Sequence, residues 1–275
     1  MAQEKYVAYV GTYTHENSIG IHVYDIDMEK GKLTERSVAP ISNPSNIAVA
    51  HSGKYLYSIE DEGVASFSID ENGDLTKINQ AWIGGMRACY VEIDSNDRYL
   101  FLAGFHDGKV TMMRLNEDGS IAGIAYGVFH QGVGKSSVEK RMDPRVSCTK
   151  LTPDEKYLCA VDWGLNQIKI YEVDYEEGKL HLYDILRFPF NSAPRRIRFS
   201  KDGKFAYVLE ETTNMVDIYT YDLREGKPVF EKIKTTSVLE KEDSLASGSA
   251  LEFAPDGKYL YVSLDGANEV VCLSV

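Results

Sequence analysis

The sequence predicts an all-β fold: a β-propeller of four-stranded antiparallel blades, with about six blades readable in 275 residues. Three observations predict it. A turn-and-strand motif recurs as His51-Ser-Gly-Lys-Tyr-Leu-Tyr57, Ser95-Asn-Asp-Arg-Tyr-Leu-Phe101, Pro153-Asp-Glu-Lys-Tyr-Leu-Cys159, Lys201-Asp-Gly-Lys-Phe-Ala-Tyr207 and Pro255-Asp-Gly-Lys-Tyr-Leu-Tyr261. Its aromatic anchors, Tyr55, Tyr99, Tyr157, Phe205 and Tyr259, stand 44, 58, 48 and 54 residues apart, a period that marks a repeat architecture. Between anchors, short apolar runs rich in Tyr, Leu and Val alternate with polar turns. One domain spanning residues 1–275 is the expectation.

Within each copy a short apolar strand leads into the Pro/Asp/Gly turn, and a second strand follows the turn. Asp and Gly supply the backbone conformations that such turns demand. A third strand comes next: Gly63–Ile69, Lys109–Leu115, Gln167–Val173 and Met215–Tyr221. Turns such as Asp70-Glu-Asn-Gly-Asp74 then lead to a fourth, weaker strand. Four antiparallel strands in this spacing make a propeller blade, which leaves only short protected edges.

The two ends read as partial blades. Tyr6–Tyr13 reads as a second strand, Gly20–Ile26 as a third and Gly31–Leu33 as the lead into a fourth, so the innermost strand of the first blade is absent. Glu269–Val275 reads as the third strand of the last blade, and the chain looks short of a closed ring. The longest departure from the period, Asn116 to Asp143, reads as a loop of the kind that carries function.

Composition narrows the function. Apolar runs are a few residues long, far below the roughly 20 that cross a bilayer, so no membrane role is expected. The start, Met1-Ala2-Gln3-Glu4-Lys5-Tyr6, lacks the basic and apolar regions of a secretory signal and predicts a cytoplasmic location. A net charge of −12 without a basic stripe argues against a nucleic-acid partner. Cys89, Cys148, Cys159 and Cys272 lack metal-site spacing and read as buried free thiols, and no cofactor is expected. Gly134-Lys-Ser136 lacks the glycine spacing of a phosphate loop.

The wording of the repeats is specific. Tyr9-Val-Gly-Thr-Tyr13, Gly20-Ile-His-Val-Tyr24, Asn43-Pro-Ser45 and Gly84-Gly85 before Cys89 occur in an order that resembles the propeller lactonase family over essentially the whole chain. That family includes bacterial 6-phosphogluconolactonases of the propeller type and fungal carboxymuconate lactonizing enzymes. The resemblance implies seven blades in a longer chain, and a pocket built from His, Arg, Glu and a second Arg. Arg195 in Pro194-Arg195-Arg196 and Glu211 in Glu210-Glu211 match the family positions. Ser147 stands where the family commonly has His, Arg145 where a second His is often found, and Asp265 in Leu264-Asp265-Gly266 where it has Arg.

Opening a lactone requires an activated water and stabilisation of a developing oxyanion, roles suited to a general base and a nearby cation. Glu211 and Arg195 are the expected catalytic pair. Arg141, Arg145, Arg195 and Arg196 lie near the starts of inner strands and suggest a funnel for a small anionic lactone or a sugar phosphate. Ser147, His106 in Gly104-Phe-His-Asp-Gly108, and His130 in His130-Gln-Gly-Val-Gly134 complete the candidate binding residues. The alternatives are a propeller that binds an anion or a protein without turnover, and a carboxymuconate-type lactonizing enzyme.

Overall fold

The repeated turn is fixed by backbone geometry before any packing. Its third residue takes a positive φ in all five copies: Gly53 (70°), Asp97 (54°), Glu155 (55°), Gly203 (72°) and Gly257 (74°). Glycine meets that demand without steric cost, which accounts for its presence in three copies. The residue that opens the turn then closes it. Asp94 Oδ1 accepts the amides of Arg98 and Tyr99 at 2.7 and 2.6 Å, and Ser200 Oγ accepts that of Phe205 at 3.0 Å.

The computed structural model describes residues 6–132, 143–241 and 245–275, and its regular elements are all strands. Met1–Lys5 and the Gly134–Ser136 segment lie outside the described residues. Blade 1 is a three-stranded sheet of β1 (Tyr6–Val10), β2 (Gly20–Asp27) and β3 (Lys32–Pro40). Blade 2 holds β4 (Ile47–Val49), β5 (Tyr55–Glu60), β6 (Gly63–Ile69) and β7 (Leu75–Ala81). Blade 3 holds β8 (Tyr90–Ile93), β9 (Tyr99–Ala103), β10 (Lys109–Leu115) and β11 (Ile121–Phe129). Blade 4 runs through β12 (Val146–Leu151), β13 (Tyr157–Asp162), β14 (Gln167–Asp174) and β15 (Lys179–Arg187). Blade 5 runs through β16 (Pro194–Phe199), β17 (Phe205–Glu210), β18 (Met215–Arg224) and β19 (Lys227–Ser237). Blade 6 has three strands, β20 (Ser247–Phe253), β21 (Tyr259–Asp265) and β22 (Glu269–Ser274). Each blade is an antiparallel meander, the architecture of a propeller.

Two compact units divide the chain, residues 1–128 and 129–275. In the first, Tyr57, Ile59, Leu100, Leu102 and Met113 pack between blades 2 and 3, and Ile21, Leu56 and Phe67 between blades 1 and 2. In the second, Leu209, Val216, Leu251, Leu260 and Val262 fill the space between blades 5 and 6. Full burial of each such side chain is worth about 1.5–3 kcal/mol. The second strands lie deepest: every residue of β9 and of β13 is buried, so both read as continuous apolar runs rather than alternating ones. Fourth strands such as β15 and β19 are polar and largely exposed, and β19 carries Pro228, a residue suited to an edge.

Two expectations are corrected. Asn116 to Asp143 is not one loop, because Ile121–Phe129 forms β11, the fourth strand of blade 3. Its glycines, Gly123 and Gly127, hid a strand whose ladder is supplied by β10 rather than by its own propensity. The four cysteines are free, but only Cys148 and Cys159 are buried; Cys89 is half-buried and Cys272 exposed. Burial pushes the Cys159 thiol well above its ordinary range, which makes it inert.

Candidate functional site

The first strand of each blade in the second unit slips by one residue near its start. The slips fall between Val146 and Cys148, between Pro194 and Arg196, and between Gly248 and Ala250. The extra residues are Ser147, Arg195 and Ser249, which occupy one repeat position. Such a bulge bends the strand and re-aims the side chain that it carries. Here the bulged residues also bond to one another. Ser147 Oγ donates to the Arg195 carbonyl at 2.9 Å, and Arg195 Nε donates to the Ser249 carbonyl at 3.1 Å.

Opposite the bulges, the residue just past each second strand faces the same turn region. In blades 4 and 5 these are Trp163 and Glu211, 48 residues apart like their anchors. Glu211 Oε2 accepts the Trp163 Nε1 hydrogen at 3.0 Å and is also ion-paired with Arg195 Nη1. Among the described residues Glu211 Oε1 carries no hydrogen bond. The side chains of Arg195 and Glu211 are 29% and 19% exposed, open enough to meet a small solute yet partly desolvated. The Arg145 guanidinium lies 5.6 Å from the Trp163 ring centroid, a cation–π contact.

Beneath this pair sits a second, wholly buried one. His130 Nδ1 donates to Asp162 Oδ2 at 2.7 Å, and neither side chain is exposed. Burial outweighs that hydrogen bond and holds the His130 imidazole below its ordinary value. Asp162 Oδ1 accepts the amides of Arg145 (2.9 Å) and Leu165 (3.0 Å).

The structure thus gathers Arg145, Ser147, Arg195 and Glu211 in adjacent blades of one unit, with His130 buried below. Arg196 is turned elsewhere: its Nη1 donates to the Ser147 and Arg195 carbonyls, clipping blade 5 to blade 4. His106 belongs to the first unit, where it is exposed and meets Phe105 edge-on at 5.9 Å. Arg141 lies outside the described residues. Asp265, at the position of Glu211 in blade 6, is exposed and bonds the Gly266 amide.

Sequence reasoning missed Trp163, Asp162 and Arg87. All three were accessible through the repeat: Trp163 stands 48 residues before Glu211, and Arg87 stands 58 before Arg145. Within the first unit, Arg87 Nη2 donates to the Asn43 carbonyl and to Ser45 Oγ. Asp162 aligns with Glu60 and Glu210, two other buried carboxylates at the ends of second strands. Among the described residues no three His, Cys, Asp or Glu side chains cluster as a metal site would require.

Fold and site together define a β-propeller that presents a carboxylate–guanidinium pair at the start of an inner strand. The chain belongs to the family described as Lactonase, 7-bladed beta-propeller, whose profile matches residues 7–275. It is 33% identical over 278 residues to the 6-phosphogluconolactonase of Bacillus subtilis, a match covering 98% of this chain and 78% of that protein. The structure of the Pseudomonas aeruginosa periplasmic gluconolactonase superposes with a TM-score of 0.89 at 28% identity, covering 98% of this chain and 79% of that one. A protein from Lactobacillus plantarum superposes with a TM-score of 0.87 at 27% identity, over 99% and 79%.

Proposed function

We propose that the chain is a lactone hydrolase acting on a small anionic sugar lactone, with 6-phosphogluconolactone the first substrate to test. The observation that carries this reading is the geometry at Glu211, where Oε2 is held by Trp163 and Arg195 while Oε1 stays open. In this reaction Glu211 Oε1 takes a proton from a water whose oxygen attacks the lactone carbonyl carbon. Negative charge gathers on the carbonyl oxygen, beside the Arg195 guanidinium. Among the described residues Arg195 is engaged through Nε and Nη1, and Nη2 is placed to donate to that oxygen. When the ring C–O bond breaks, the leaving alkoxide recovers the proton from Glu211, and the product is the open hydroxy acid. Arg145 supplies a second cation for the substrate's charged group.

Family membership and the named relatives support the reaction class, and the pairing of Arg195 with Glu211 supports the roles. The four free thiols favour a reducing compartment, so we place the activity in the cytoplasm. A second reading, anion binding without turnover, draws on Ser147, whose hydroxyl is committed to the Arg195 carbonyl and adds no second proton-transfer group. One experiment separates them. Freshly made 6-phosphogluconolactone is followed against its spontaneous opening, beside a thermal shift with 6-phosphogluconate for wild type and Arg195→Ala. Hydrolysis above background supports the hydrolase; a shift lost in Arg195→Ala without hydrolysis supports the binder. No hydrolysis and no shift in either protein would remove both.

A further inference from the structure

We propose that His130 and Asp162 are positioning residues which lock the Trp163 turn and, through the Trp163 indole N–H, aim Glu211 so that Oε1 faces substrate. This deepens the hydrolase reading above, and its kinetic arm rests on that reading.

Three separate segments converge on one buried carboxylate. His130, just past β11, binds Oδ2; Arg145, at the entry to β12, and Leu165, in the turn after β13, bind Oδ1. Trp163 lies between the points so fixed, and its own amide donates to the Arg145 carbonyl at 2.9 Å. Gly164 completes the arrangement, since a Cβ there would run into the Asp143 carbonyl oxygen. These bonds and that close approach hold the turn on both sides of Trp163. Its indole Nε1 therefore reaches Glu211 Oε2 from a fixed direction, leaving the other carboxylate oxygen open.

The pair is a poor device for stability alone. Among the described residues His130 Nε2 is buried with no hydrogen-bond partner, a loss that an apolar residue of similar size would avoid. At the same repeat position Glu60 and Glu210 are served from within their own blades, by Lys77 at 3.6 Å and by Thr213. Only at Asp162, of these three and among the described residues, does the carboxylate tie together three separate segments of the second unit. Blade 4 is also the one of these three whose following residue, Trp163, touches the proposed base.

The test uses the full chain in a Trp82→Phe background, where emission reports Trp163 alone. His130→Leu and Asp162→Asn are compared with His130→Asn, whose amide N–H can stand where the Nδ1 hydrogen stood. The expected result is increased acrylamide quenching of Trp163 in His130→Leu and Asp162→Asn, with kcat reduced about 10- to 100-fold and KM little changed. His130→Asn should retain most of both properties. Trp163→Phe should reproduce the kcat loss with the buried pair intact. Unchanged quenching and kcat in His130→Leu and Asp162→Asn would overturn the proposal, as would equal losses in His130→Asn and His130→Leu. Should wild type turn over no lactone, the hydrolase reading fails by itself, and the quenching comparison alone decides for or against the positioning role. If His130→Leu does not fold, Asp162→Asn against His130→Asn gives the same decision.

Discussion

Blades 4 and 5 have one backbone and two chemistries. Both bulge at the second position of the inner strand and both end the second strand in a buried carboxylate followed by a side chain at the mouth. In blade 4 the bulge carries Ser147 and the mouth Trp163; in blade 5 they carry Arg195 and Glu211. The difference shows what a propeller repeat specifies. It fixes where a side chain starts and which way it leaves the strand, and leaves its identity free. In the proposed mechanism blade 5 supplies the reacting groups, while blade 4 supplies a frame that orients them.

On that division the largest effects fall on blade 5. Arg195→Ala and Glu211→Gln should each lower kcat/KM for the lactone by about 10²- to 10³-fold, with urea midpoints close to wild type, since each removes a group aimed at the reaction. Loss of activity only in step with loss of folded protein would erase the distinction between the blades. In blade 4 the largest effect is expected on stability. Gly164→Ala must displace the Asp143 carbonyl, and should cost about 2 kcal/mol in urea unfolding.

The pH dependence of stability sharpens the comparison further. The ordinary histidine value is 6.5 and burial lowers that of His130, so the unfolded chain takes up a proton there before the folded one does. This residue's contribution is fully present above about pH 6.5 and falls as pH drops toward the lowered folded value. Thermal midpoints taken across pH 7 to 5 should therefore decline more steeply for wild type than for His130→Asn. The smallest effect belongs to the rim of blade 5. Arg198 pairs Nε and Nη2 with the two carboxylate oxygens of Glu252, yet Glu252 is 61% exposed, and Arg198→Ala should change stability by less than about 1 kcal/mol.

The period of Tyr55, Tyr99, Tyr157, Phe205 and Tyr259 made the blades legible, because the turn between first and second strands needs a positive φ at a fixed place and selects a narrow set of residues there. β11 was less legible, since its pattern has glycines at two positions and its strand character comes from pairing with β10. At the site, Arg195 and Glu211 could be read as chemical groups in matching positions. Their contact through one carboxylate oxygen could not, because it depends on the bulge at Arg195 and on an indole 48 residues upstream. His130 was visible as a histidine in a long loop that resembles the family's. Its burial against Asp162 follows from packing that no local pattern encodes.

Arg195 and Glu211 are proposed to act as one unit, and a double-mutant cycle tests that coupling. Hydrolysis of 6-phosphogluconolactone is measured for wild type, Arg195→Ala, Glu211→Gln and the double variant, each corrected for spontaneous opening. Either single substitution is expected to remove nearly as much activity as both together, since neither group works without the other in the proposed reaction. Independent, multiplying losses, or full activity in either single variant, would contradict it.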